Sequence, residues 1–216
     1  MNAHTKSFKT ALLIAALAMP MAVFADAGDD ANNLIKKNPT IANAKIVIAN
    51  AISPSTDLAT IVDIVTTCIK GSPSLATTIT NTAIAESTNA VASIMSAAIG
   101  AAPTSAQLIT SAAITAAGQN ATLSKNILEA SINAVTEQAA KNSAVIGNTT
   151  STANQTASND VLKSVIIAAY NSAKSVCGSN AACITSAQNQ AISRAGAASN
   201  VAFTNGIKTA VGVSPH

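Results

Sequence analysis

VASIMSAAIGAAPTSAQLITSAAITAAG, residues 91–118, holds no charged and no aromatic side chain. Such a run reads as a membrane span, as low-complexity chain, or as two copies of one small unit. Superposing its halves favours the third. Val91–Ile99 and Ala106–Ile114 share a nonamer with a small or apolar residue first, Ile fourth, a small residue eighth and Ile ninth. The offset is fifteen residues.

The same nonamer recurs on both sides, at Ala44–Ile52, Ile61–Ile69, Ala76–Ile84 and Ser124–Ile132, with weaker copies starting at Leu162 and Ile184. Starts from Ala44 to Ser124 are separated by 17, 15, 15, 15 and 18 residues. Positions 1, 4, 8 and 9 fall on one stripe of an α-helix, and Ser, Thr, Asn and Lys occupy much of the remainder. On this register Ile94 and Ile109 belong inside, while Ser96 and Thr110 face water. Pro54, Pro73 and Pro103 open new segments beside Ser or Thr residues able to cap a helix, and Gly71, Gly100 and Gly118 sit near helix ends. The expected fold is all-α: short antiparallel helices in a repeat of about 15–18 residues, stacked as an α-solenoid-like or helical-bundle array. A membrane span would not carry Pro103 and a capping Thr at its centre. Thr and Ile are mediocre helix formers, so stacking must hold these helices.

Outside the repeat the expected divisions are plain. Residues 1–25 read as a cleaved secretory signal: Lys6 and Lys9, a short apolar run, Pro20, then small residues at Val23 and Ala25. The repeat region is expected over 26–141. A polar Asn/Ser/Thr linker follows over 142–160, then a helical pair over 161–200 and a loose tail over 201–216. An exported product, periplasmic or extracellular, is the expected location.

The chain carries 12 basic and 9 acidic residues, but two of the lysines lie in the expected leader, leaving a balance of +1. Lys36–Lys37 is the only basic pair, so the clustered positive surface of a nucleic-acid binder is lacking. Beyond residue 25 the aromatics are Tyr170 and Phe203 alone. The alanine-rich core must therefore rest on Ile, Val and Leu.

In an oxidising compartment Cys177 and Cys183, in CGSNAAC, are expected to form a disulfide stapling the corner between two helices. Cys68 occupies repeat position 8, where other copies carry Ala or Ser. It reads as a small core residue, with a covalent link between subunits as the alternative. Beyond the expected leader, His216 is the one histidine, which removes histidine-based triads and dyads. No Ser stands three residues before a Lys, and no GxxxxGK or GxGxxG cradle occurs. No catalytic, cofactor-binding or metal-binding residue is expected. The first aspartates, Asp26, Asp29 and Asp30, read as a solvated terminus. The reading that results is a non-enzymatic exported helical-repeat protein with a structural or interaction role, partnered by itself or another exported protein. The alternative is a membrane-active or pore-forming protein using the uncharged run Ser87–Ser124.

Overall fold

A computed structural model describes residues 26–118, 120–146, 151–198 and 201–212. Among them the chain is all-α. Helix α1 spans Ala27–Lys37, α2 Ile41–Ala51, α3 Leu58–Gly71, α4 Ala76–Glu86, α5 Val91–Ala101 and α6 Ala106–Ala117. Longer helices follow: α7 Ala121–Ile146, α8 Ser151–Cys177 and α9 Ala181–Ala198, then the short α10 Val201–Ala210. The run Ser87–Ser124 is divided among α5, α6 and the start of α7. No helix among the described residues is long and apolar enough to cross a membrane.

From α1 to α8, each helix packs most extensively on a helix two places away along the chain, whereas α9 packs mainly on α8 and α10 on α9. One layer runs α1, α3, α5, α7, and the other α2, α4, α6, α8. This is the alternation of stacked hairpins, and the nonamer explains it. Position 4 is fully buried in Ile64, Ile79, Ile94, Ile109 and Ile127, and position 8 in Cys68, Ala83, Ala98 and Ser131. The branched residue fills the space between layers, and the small one lets backbones approach.

The register also extends further than expected. Position 5 is buried in every copy from α2 to α8: Ile48, Val65, Thr80, Met95, Thr110, Leu128 and Ile166. Thr110, expected to face water, is fully buried. A helical stripe more than 100° wide takes in position 5 beside position 1. Threonine tolerates this site where its hydroxyl bonds the preceding turn, as Thr80 Oγ1 does to the Ala76 carbonyl at 2.7 Å. Helix α1 is a further unit, with Gly28, Ala31, Asn32 and Ile35 at positions 1, 4, 5 and 8. Its glycine and asparagine hid it.

Helix starts differ from expectation as well. No Ser or Thr side chain caps α4, α5 or α6. The 3-10 turns Pro73–Leu75, Thr88–Ala90 and Pro103–Ser105 lead into them, closing bonds such as Ser105 N–H to the Ala102 carbonyl at 2.9 Å. Asp57, not the residues around Pro54, caps α3. Its carboxylate accepts from the Thr60 N–H and hydroxyl, which hold the Asp57 carboxyl below its ordinary value.

Two expected boundaries need correction. The tract 142–160 is helical at 142–146, ending α7, and at 151–160, beginning α8; residues 147–150 lie outside the described residues. Asn, Ser and Thr are poor at nucleating a helix, but a packed helix propagates through them at one hydrogen bond per residue. The tract's one glycine, Gly147, falls between the helices. The tail expected to be loose holds α10, with Ile207 and Val211 buried and the Val211 carbonyl accepting from Gln188 Nε2 at 2.8 Å. Phe203, Ile207 and Val211 recur at helical spacing, a signal obscured by the glycines on either side. The expected leader, 1–25, and His216 lie outside the described residues.

Candidate interaction groove

Repeat positions 2, 3, 6, 7 and 10 lie on the side of each helix turned from the other layer, position 7 being buried in α5 and α7. In α3 they carry Val62, Asp63, Thr66, Thr67 and Lys70. In α5 they are Ala92, Ser93, Ser96, Ala97 and Gly100, all small. Because α5 lies between α3 and α7, its lack of bulk leaves a groove of about 700 Å³ across the odd-numbered layer. Val62, Thr66 and Lys70 form one wall, and Asn133, Glu137 and Gln138 of α7 lie on the other. A Cβ on Gly100 would meet nothing within 4 Å, so the floor is open.

The groove is lined mainly by small and hydrogen-bonding side chains. Ser93, Ser96, Asn133 and Gln138 offer hydrogen-bond donors and acceptors, and Lys70 and Glu137 supply opposite charges on facing walls. Among the residues lining it, Glu137 is the one carboxylate and Lys70 the one cation. Small side chains on the floor let an extended backbone come close. Two further hollows exist. One of about 670 Å³ is bordered by Lys125 of α7 and by Thr185, Asn189 and Ser193 of α9. One of about 230 Å³ adjoins the cysteines at the corner of α8 and α9.

Cys177 and Cys183 are joined, with Cα atoms 5.5 Å apart. Gly178 turns the chain at φ +57°, and Asn180 Oδ1 accepts from the Cys183 N–H at 3.1 Å to start α9. The bond thus closes the corner where the sequence places it. Cys68 is free and buried, and burial, with the charge of Asp63 second, pushes its thiol up to about 12. Such a thiol stays protonated at neutral pH and is no nucleophile.

Asp26, Asp29 and Asp30 at the start of α1 are exposed. Asp26 accepts from the Asp29 N–H at 3.3 Å as the helix cap. From α3, Asp63 Oδ2 accepts the Gly28 N–H at 2.8 Å. Among the described residues no group of three or more His, Cys, Asp or Glu could hold a metal ion. Sequence reasoning missed the groove altogether. The signal available was the absence of any long side chain from the outward positions of α5. Comparison with protein-family models, with curated proteins and with solved structures finds no match to this chain.

Proposed function

We propose that the chain is a non-enzymatic, exported helical-repeat protein whose role is to bind another polypeptide through the groove over α5. The observation carrying this reading is the open, small-residue floor between hydrogen-bonding walls that bear Lys70 and Glu137. Stacked helical hairpins commonly use such a layer surface for recognition. Export rests on the character of residues 1–25 and on the disulfide corner.

The test is a displayed random-peptide library selected against the purified protein. Extended binders should be recovered, and Ser96→Arg or Gly100→Trp should abolish their binding with the melting curve unchanged. Both positions are open to the groove, so neither change has a core to disturb. Binders indifferent to both substitutions, or no binders at all, would remove the groove from consideration.

A further inference from the structure

The stack ends differently at its two extremities. In α5 and α7, position 7 is Ala97 and Ala130, both buried. In α1 the same position is Leu34, and no earlier helix among the described residues covers it; it is 52% exposed. On α2, Ile46 is 61% exposed, but so is Leu108 at the same repeat position of mid-stack α6, at 66%, so Leu34 is what marks the uncovered end. Asn43 holds α1 and α2 together, its Nδ2 donating to the Leu34 carbonyl at 3.0 Å and the Asn38 carbonyl at 2.9 Å. At the other extremity stand α9 and α10, and the exposed Thr185, Asn189 and Ser193 of α9 border the hollow beside Lys125 of α7. No large apolar side chain is exposed among the described residues of α9 and α10. Head-to-tail stacking would set an apolar end on a polar one.

The charges of α1 fit a different arrangement. Asp30, Leu34 and Lys37 form one exposed stripe at helical spacing. Turning the helix about a two-fold axis beside Leu34 places position 30 of one copy opposite position 37 of the other. The acidic end then meets the basic end twice, with the two leucines between. We propose that the occupant of this face is a second copy of the chain, paired through antiparallel α1 helices with Leu34 at the centre and reciprocal Asp30–Lys37 contacts at the rim. This pairing does not depend on the groove, which lies on α3, α5 and α7.

Sedimentation equilibrium of the full chain decides it. A concentration-dependent dimer is expected, and Leu34→Glu, at an exposed site, should weaken it by at least about tenfold with helicity unchanged. Asp30→Lys and Lys37→Asp should each weaken self-association. The double variant should regain it, and an equimolar mixture of the two single variants should form a heterodimer. A wild-type chain that stays monomeric, as coverage of this face by residues 1–25 or by a foreign partner would give, overturns the proposal. So does a dimer indifferent to Leu34→Glu, or the absence of rescue in both the double variant and the mixture.

Discussion

Gly28 donates its backbone N–H to Asp63 Oδ2, and a Cβ on Gly28 would collide with that carboxylate and lie 2.9 Å from the Asp63 carbonyl oxygen. The start of α1 therefore rests directly on α3. A second close approach follows one helical turn on, where a Cβ on Gly71 of α3 would collide with the Asn32 side chain of α1. Gly28→Ala should cost about 1–3 kcal/mol through overpacking, although alanine is the better helix former. Gly100→Ala, where the added methyl meets open space, should instead gain up to about 1 kcal/mol. Urea melts of both variants check the contrast. Equal effects at the two glycines would mean that α1 does not sit on Asp63 as described.

Thr80 and Thr110 share position 5 of consecutive even-numbered helices, and both are fully buried. The Thr80 hydroxyl has its bond to Ala76, whereas Thr110 Oγ1 has no hydrogen-bond partner. A buried hydroxyl without a partner costs about 1–3 kcal/mol relative to one that is satisfied. Thr110→Val should therefore stabilise the protein by about 1 kcal/mol, while Thr80→Val should be neutral or destabilising. Calorimetric melts of the two variants separate these outcomes. Destabilisation by Thr110→Val would show that its hydroxyl does have a partner.

How much of this was legible varied with the monotony of each position. In the six strong copies position 4 is Ile five times and position 8 is always Ala, Ser or Cys, so both announce a buried stripe. Position 5 holds Ile48, Thr80, Met95 and Thr110, a mixture that resembles a wet face although its packing is as tight. The first unit was unreadable for the same reason, since Asn32 and Gly28 are chosen for contacts with Gly71 and Asp63 that lie far along the chain. The corner disulfide needed only local spacing and was readable. The groove depends on what α3 and α7 place on either side of α5. The run of small outward residues is readable within α5, but that it forms a floor is not.

The three cysteines should separate cleanly by reactivity. A thiol-specific alkylating reagent should label none of them in the folded protein at neutral pH. Cys177 and Cys183 are joined to each other, and Cys68 is buried with its thiol pushed up to about 12. Unfolding without reductant should expose one reactive thiol, Cys68, and adding reductant should expose all three. Because the disulfide closes a short loop, replacing both Cys177 and Cys183 by Ala should cost about 2 kcal/mol on the chain-entropy account. Peptide mapping under non-reducing conditions identifies the pair. Rapid labelling of Cys68 in the folded protein would contradict its placement between α3 and Gly28.

The repeat itself is tested by a contrast within α5. Ile94 is fully buried between the two layers, whereas Ser96, two residues on, lies half-buried on the groove floor. Ile94→Ala removes packed methylenes from a site that neighbouring helices cannot refill, and should cost about 2–4 kcal/mol. Ile109→Ala, at the same position of α6, should cost a similar amount. Both side chains belong to one continuous apolar cluster, so the double variant should depart from the sum of the single effects. Ser96→Arg can extend into the groove and should cost no more than about 0.5 kcal/mol. Thermal melts followed by helical circular dichroism measure all four variants. Equal tolerance at Ile94, Ile109 and Ser96 would mean that the fifteen-residue register does not hold the layers together.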